Sequence, residues 1–210
     1  MLNKTKTTLI CIALAFVALG CIFAGVSSRS GSGSDYVYEI FHRNVELDYY
    51  GAKNDLVDEL DTYIQSVAPG SCLNGLAILE ECETEGIDII FVISQAQKES
   101  SFGTKGLGYT TNSVFNVKAY DGKGDKYMDK YSHPDLSIHP YILLLKERYL
   151  VDGKTTSDLL VKYTDKFDKR YATDKNYEDS LQRIYTNIVE NTQIQVKYEQ
   201  YNKYKILAGK

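Results

Sequence analysis

Apolar residues recur at helical spacing along most of the chain. From Asn54 they are separated by three or four positions, which predicts an amphipathic helix that ends at Pro69-Gly70. A second helix follows from Ser71 and stops at Gly86. Asp88 suits the cap of a third helix, whose residues are apolar on nearly every side, so we expect other helices to surround it.

The second half of the chain contains one stretch of alternating residues among further helical patterns. Residues 114–120 alternate as in a short strand, and the glycines and aspartates of residues 121–125 favour a tight turn, which together predict a small hairpin. Three helices follow, and the residues that mark their starts are Pro140, Thr156 or Ser157, and Asp174. We therefore expect a mainly α fold with a small β-hairpin lobe.

Length and composition limit the architecture. The chain has 210 residues, 43% of them hydrophobic, which is enough for one domain with its own core plus an appendage. Its formal net charge is −4, whereas nonspecific binding to nucleic acid depends on Lys and Arg that neutralise phosphates. We expect no nucleic-acid partner, and we expect the protein to be a monomer.

Residues 1–34 have the composition of a targeting segment. Two lysines precede an uncharged run over residues 9–26, about 18 residues, a length between that of a long signal-peptide core and that of a short membrane span. A Gly/Ser-rich stretch over residues 27–34 follows, as in a flexible linker. The sequence predicts an exported protein, secreted or held at the membrane by this segment only, with its folded domain over residues 35–210.

Three fates of the targeting segment remain open. It is cleaved near Ser28, is retained as an anchor with its N-terminus inside, or is lipidated at Cys21. Lipidation ranks below the other two, because Ala18 is an imperfect residue three positions before the cysteine and the apolar run continues beyond it.

Cys72 and Cys82 lie beyond this segment, on what we expect to be one helix. The helical rise would separate them by about 15 Å, whereas a disulfide needs Cα atoms within about 7 Å. Two buried thiols are the preferred interpretation, with partners elsewhere as the alternative. The chain has three histidines and no Cys-x-x-Cys or His-x-x-x-His spacing, so we expect neither a metal site nor a cofactor.

One carboxylate stands at the end of the most apolar segment. If the third helix is buried, Glu99 lies near its negative end and in desolvated surroundings, and both effects disfavour the charged form. A carboxylic acid that stays protonated near neutral pH suits a general acid for glycosidic cleavage. The glycines of the following loop, which would give access to Glu99, are Gly103, Gly106 and Gly108. The alternative is a glutamate at a helix end that merely faces solvent.

Three blocks of sequence resemble a known family. They are Gln95-Ala-Gln-x-Glu-Ser-x-Phe-Gly, then Asn112-x-x-Phe115-Asn-Val-Lys118, then Tyr171-Ala-Thr-Asp-x-x-Tyr177. In this order they are similar to the glucosaminidases that cut bacterial peptidoglycan, family 73 of the glycoside hydrolases. The resemblance covers roughly residues 73–189, and it implies a lysozyme-like helical domain and peptidoglycan glycan strands as substrate.

The resemblance also implies roles for individual residues. Glu99 matches the proton donor of the family. Asn112 and Phe115 match residues that shape the glycan cleft, and Tyr171 matches a tyrosine close to the scissile sugar. We add Gln95 of the first block to the expected substrate-binding residues. Tyr120 is a further candidate there, since aromatic faces pack on pyranose rings.

The sequence departs from the family pattern in one respect. Family members usually carry a second glutamate on a longer β-hairpin lobe, whereas residues 118–137 contain no glutamate. Asp121, Asp125 and Asp129 lie on the expected lobe, and of these we take Asp125 as the candidate catalytic partner. An inverting enzyme places its base about 6.5 to 9.5 Å from the acid and a retaining one its nucleophile at about 5 to 5.5 Å. Alternatively, the 2-acetamido group of the substrate attacks the anomeric carbon itself.

Two other functions compete with hydrolysis. A lytic transglycosylase also has a Glu-Ser-x-Phe helix in a lysozyme-like fold, but that family normally continues with a Gly-Leu-Met-Gln loop, which this chain lacks. A catalytically inactive wall-binding protein is the second, and the missing lobe glutamate is its main support.

Overall fold

The computed structural model describes residues 33–120 and 122–210, with side chains from residue 37. Two compact units divide the chain between His42 and Arg43, and of the first unit the structure describes only residues 33–42, which are helical. The second unit, Arg43–Lys210, contains the buried residues described below.

The described residues are mainly helical, as expected, which is consistent with a lysozyme-like helical domain. Two short irregular turns also occur, a 3₁₀ turn over Pro134–Ser137 and a π-helical turn over Leu145–Tyr149. The α-helices are α1 (Gly33–Val67), α2 (Gly75–Glu85), α3 (Ile89–Ser100), α4 (Gly106–Thr111), α5 (Ile138–Leu144), α6 (Thr156–Val161), α7 (Tyr177–Asn191) and α8 (Ile194–Leu207).

Helix α3 lies at the centre of the second unit, as its apolar surface predicted. Asp88 caps it by accepting a hydrogen bond from the backbone N–H of Ile90, and residues 89–96 are buried. It packs most extensively against α7 and also against α2 and α4. Because an all-round apolar helix can be satisfied only by neighbours on every side, this position follows from the sequence of α3 itself.

Several helix ends differ from the sequence-based expectation. Helix α2 is capped by the Asn74 side chain rather than by Ser71, whose hydroxyl bonds to a carbonyl of the loop after α3. Helix α6 is capped by Thr155, one or two residues before the expected Thr156 or Ser157. The Asp174 carboxylate accepts the N–H of Asn176 and so stabilises the turn that precedes α7. Ser, Thr, Asn and Asp side chains can bond to several nearby backbone groups, so which of them caps a helix differs by a few residues from the sequence-based expectation.

The expected strand over residues 114–120 is wrong. Asn116 and Lys118 adopt positive φ values of 49° and 63°, and the N–H groups of Asn116 and Ala119 bond to carbonyls three residues earlier. Repeated turns of this kind cannot form an extended ladder, so the described residues of this segment contain turns in place of the β-hairpin lobe. Asp121 lies outside the described residues.

The two cysteines of the second unit are free, as predicted, but only one is buried. Cys82 lies in the core, whereas Cys72 is exposed. The C-terminal residues form the separate helix α8 after Thr192, where the Lys205 ammonium pairs with Glu83 at 2.8 Å.

The predicted targeting segment lies almost wholly outside the described residues, and its last two residues, Gly33 and Ser34, begin α1 rather than end a linker. Within residues 33–120 and 122–210, no helix combines the length and apolar character that a membrane crossing requires.

Candidate active site

The loop after α3 turns sharply where Glu99 is placed. Ser101, Phe102 and Gly103 have φ values of 51°, 56° and 80°, and the N–H groups of Ser101 and Phe102 bond back to carbonyls of the last helical turn. Consecutive left-handed residues are costly and cluster at functional sites. The turn places Glu99 at the junction of α3 with the loops around it.

Two side chains from distant parts of the chain bond to the Glu99 carboxyl group. The Tyr177 hydroxyl donates to Oε1. The Asn116 amide Nδ2 donates to the backbone carbonyl of Glu99 at 2.7 Å and reaches Oε2 at 3.3 Å. The start of α7 and the turns after α4 therefore meet at this carboxyl group.

The surroundings of Glu99 favour its neutral form. Burial raises the pKa of Glu99, while the hydrogen bonds from Tyr177 and Asn116 and the positive charge of Lys98 lower it, and the net pKa is above the ordinary 4.5. The Lys98 ammonium lies 5.3 Å from the centre of the Tyr177 ring. A partly buried, doubly hydrogen-bonded carboxyl group differs from a helix-end glutamate that faces solvent.

Gln95 lies beneath Glu99 rather than at the surface. Its side chain has no exposed area, and its Nε2 donates to the Tyr177 hydroxyl at 2.7 Å, while its Oε1 has no partner in the described residues. We expected Gln95 to bind substrate, whereas in the structure its amide is fully buried and acts on the site through Tyr177 and Tyr171. Tyr177 itself was not among the expected site residues, although it ends the third sequence block.

Tyr171 and Phe115 join two of the sequence blocks to each other. The Tyr171 hydroxyl donates to the backbone carbonyl of Phe115 at 3.2 Å. The Tyr171 ring stacks on Tyr163 at 4.4 Å and lies 5.5 Å from the Tyr177 ring. The Phe115 side chain is fully buried and stacks on Tyr141 at 3.9 Å. Tyr171 is thus brought near Glu99, whereas Phe115 packs behind the site.

The two asparagines of the second block have different partners. Asn112 ends α4 with a φ of 54°, and its Nδ2 donates to the backbone carbonyl of Tyr131 at 2.8 Å. It closes the intervening loop rather than bonding to Glu99. Asn116, which we did not predict, is the asparagine that bonds to Glu99. Asn116 follows Phe115 in the second sequence block, and this position in the block was the only sequence feature that could have identified it as a site residue.

The remaining expected site residues lie on the turns of residues 118–131. Tyr120 is 59% exposed and meets Tyr127 edge-on, with ring centres 5.8 Å apart. Asp125 pairs with Lys130 at 2.6 Å, and its side chain is 42% exposed. The hydrogen bond from Lys130 lowers the pKa of Asp125. The pKa of Asp125 is therefore shifted downward, in the opposite direction to that of Glu99.

A buried aspartate orders the loop that carries Tyr171. Asp165 accepts hydrogen bonds from Arg148 at 2.6 Å and from the N–H groups of Phe167 and Lys169 at 2.9 Å each. Burial raises the pKa of Asp165, but these donors outweigh it and the net pKa is lowered. Sequence reasoning missed Asp165, because its partners become adjacent only in the folded loop.

The residues that the structure describes contain no group of three or more His, Cys, Asp or Glu side chains arranged to hold a metal ion.

The glucosaminidase family model, described as mannosyl-glycoprotein endo-beta-N-acetylglucosaminidase, matches residues 75–190. The match runs from the start of α2 to the end of α7 and includes all three sequence blocks. The chain belongs to this family, as the resemblance predicted. No curated protein matches the chain. Family membership supports a glycoside hydrolase that acts on peptidoglycan glycan strands.

Proposed function

We propose that this protein is an endo-β-N-acetylglucosaminidase that hydrolyses β-1,4 bonds of peptidoglycan with Glu99 as the general acid. Family membership supports the substrate and the type of reaction. The observation that carries the role of Glu99 is its carboxyl group at the end of α3, where burial raises its pKa and Tyr177 and Asn116 orient it.

In the proposed reaction Glu99 gives its proton to the glycosidic oxygen as the bond from that oxygen to the anomeric carbon breaks. The departing sugar leaves with a hydroxyl group, and positive charge develops on the anomeric carbon and ring oxygen. Water then supplies a hydroxyl group to the anomeric carbon, and its other proton returns to Glu99 or to a second base. A raised pKa keeps the donor protonated nearer neutral pH.

The second step follows one of two routes. In the first, Asp125 acts as base or nucleophile, which suits its ionised state but requires release from Lys130. In the second, the 2-acetamido oxygen attacks the anomeric carbon, with Tyr171 orienting it. Asp125→Asn separates the routes, because substrate assistance predicts that activity survives. Asp129→Asn is the matched control, since Asp129 is a similarly exposed carboxylate paired with Lys118.

We place the glycan against the turns around Glu99. The exposed rings of Tyr120 and Tyr127 suit stacking on pyranose faces. The Tyr171 hydroxyl donates its proton to the Phe115 carbonyl, so its oxygen suits accepting a hydrogen bond from an acetamido N–H. Asn112 and Phe115 contribute by holding the backbone of these turns, through the carbonyl of Tyr131 and the stack on Tyr141.

Mass spectrometry of purified peptidoglycan digested with the full chain tests this function. Hydrolysis by a glucosaminidase yields fragments that end in reducing N-acetylglucosamine. Fragments ending in 1,6-anhydromuramic acid would instead identify a lytic transglycosylase, and reducing muramic acid would identify cleavage of the other bond. Intact strands that nevertheless sediment with the protein would identify a wall-binding protein.

We further propose that the protein is exported, with residues 1–34 as a leader or membrane anchor and residues 35–210 as the catalytic domain. The peptidoglycan substrate supports a location at the cell envelope or outside the cell. N-terminal sequencing of protein recovered from envelope and medium tests this, and a cytoplasmic protein that begins at Met1 would contradict it.

A further inference from the structure

Three side chains in series connect the core to the Glu99 carboxyl group. Gln95 is fully buried, and its Nε2 donates to the Tyr177 hydroxyl at 2.7 Å. That hydroxyl in turn donates to Oε1 of Glu99. Gln95 and Glu99 lie four residues apart on α3, so they face the same side of the helix, one turn apart. Tyr177, on α7, bridges that turn.

The direction of these hydrogen bonds follows from the orientation of the Gln95 amide, which turns its Nε2 toward the Tyr177 hydroxyl. A hydroxyl group has one proton, and an amide nitrogen can only donate. The Tyr177 oxygen accepts a hydrogen bond from Gln95 Nε2, so the single Tyr177 proton is donated to Oε1 of Glu99. Oε1 must then accept. If the acidic proton of Glu99 were on Oε1, it would clash with the proton that Tyr177 donates to the same oxygen. In this arrangement the acidic proton of Glu99 is therefore on Oε2.

Oε2 is the less constrained oxygen of the carboxyl group. Its partner Asn116 Nδ2 makes its short hydrogen bond, 2.7 Å, to the Glu99 backbone carbonyl and reaches Oε2 only at 3.3 Å. The Asn116 Oδ1 is buried and has no partner in the described residues. Asn116 thus fixes the backbone of Glu99 firmly and holds Oε2 weakly, so a proton on Oε2 is not committed to an acceptor among the described residues.

We propose that Gln95 and Tyr177 are positioning residues that confine the acidic proton of Glu99 to Oε2, the oxygen that delivers it to the glycosidic bond. This rests on the proposed role of Glu99 as general acid. Gln95 acts at a distance in this arrangement, because it fixes the direction of the Tyr177 hydroxyl without touching Glu99.

Other titratable groups face Glu99 and bear on its titration. Lys98 on α3 is the charged neighbour and lowers the pKa of Glu99. Tyr141, Tyr163 and Tyr171 are close enough that a negative charge on Glu99 raises their pKa values, so all three stay neutral in the range where Glu99 titrates. The hydrogen bond from Tyr177 lowers the pKa of Glu99, so its removal raises that pKa.

The test follows Glu99 by carbon-13 NMR in protein labelled at glutamate side-chain carboxyl groups, with Glu99→Gln to assign the signal. Tyr177→Phe keeps the ring and removes the hydroxyl, and Gln95→Met keeps the buried volume and removes the donor. We expect a higher Glu99 pKa in both, with the larger rise in Tyr177→Phe. Tyr141→Phe is the matched control, since Tyr141 is fully buried in the same aromatic cluster but is not a hydrogen-bond partner of Glu99.

Turnover on peptidoglycan gives the second measurement. We expect kcat to fall by about tenfold to a hundredfold in Tyr177→Phe, a part of the total effect of a general acid, and the alkaline limb of the pH profile to move to higher pH. An unchanged Glu99 pKa in Gln95→Met and Tyr177→Phe would overturn the inference even if the wild-type protein is active. A raised pKa in both, in a protein that does not cut peptidoglycan, would support the positioning and refute the proposed function.

Discussion

Gly108 offers a direct test of how closely α4 must approach the end of α3. A Cβ atom at Gly108 would lie 2.4 Å from the Ser100 Cβ and 3.0 Å from its Oγ, and 3.3 Å from the Ser113 carbonyl. Ser100 is buried and cannot move aside easily, because its Oγ donates to the Val114 carbonyl at 2.6 Å and accepts the Gly103 N–H at 2.8 Å. Gly108→Ala must therefore separate α4 from the residue that follows Glu99.

The expected magnitude combines two opposing effects. Overpacking of a core costs up to about 3 kcal/mol, and the better helix propensity of Ala returns about 1 kcal/mol. The free energy of unfolding of Gly108→Ala should fall by about 2 kcal/mol, which for a unit of this size lowers Tm by about 4 to 8 °C. Peptidoglycan turnover should fall as well, because the displaced Ser100 is adjacent to Glu99.

Gly51→Ala is the matched control for this substitution. Gly51 is an exposed residue within α1, and an added Cβ meets nothing within 4 Å. The same chemical change should raise the free energy of unfolding by about 0.5 to 1 kcal/mol. Thermal unfolding followed by circular dichroism measures both. A Gly108→Ala protein as stable as wild type and equally active would refute the close packing of α4 on Ser100.

Three further predictions concern charge and redox state. Burial raises the pKa of Glu99 above the ordinary pKa of 4.5, so at a pH above 4.5 ionisation of Glu99 lowers the stability of the folded protein. Glu99→Gln should therefore raise Tm at pH 7, and this gain should disappear below pH 4.5. Hydrogen-bond donors lower the pKa of Asp165, so Asp165→Asn should lower both turnover and Tm at neutral pH. Asp168→Asn, an exposed control, should change neither. Equal Tm values for the two variants would contradict the role of Asp165 in ordering the loop that carries Tyr171. Reductant should leave Tm unchanged, because Cys72 and Cys82 are free, and a fall in Tm would contradict this.

The central helix and its carboxylate could be predicted from the sequence because their signals are local. An apolar run long enough for three turns, a capping aspartate and a glutamate at its end all lie within residues 88–99. The family blocks added Tyr171, which the structure brings close to Glu99. The cysteines are free, as predicted, although Cys72 lies before α2 rather than on one helix with Cys82 as expected.

The hydrogen bonds around Glu99 could not be predicted, because they join residues far apart in the chain. Tyr177 is 78 residues from Glu99, and Asn116 is 17 residues from it. The predicted strand over 114–120 failed for a related reason: its alternation reflects buried Val114 and Phe115 followed by turns, rather than a pleated strand. The internal hydrogen bond of Gln95 was not foreseen, because a polar residue on a buried helix has no local signal that tells a substrate contact from an internal hydrogen bond.

The rate at which Glu99→Gln releases reducing ends from purified peptidoglycan tests the central claim most directly. Gln keeps the size of the side chain and cannot give up a proton, so turnover should fall by about a hundredfold or more, with the circular dichroism spectrum unchanged. A folded Glu99→Gln protein that retains most of the wild-type rate would contradict Glu99 as the proton donor.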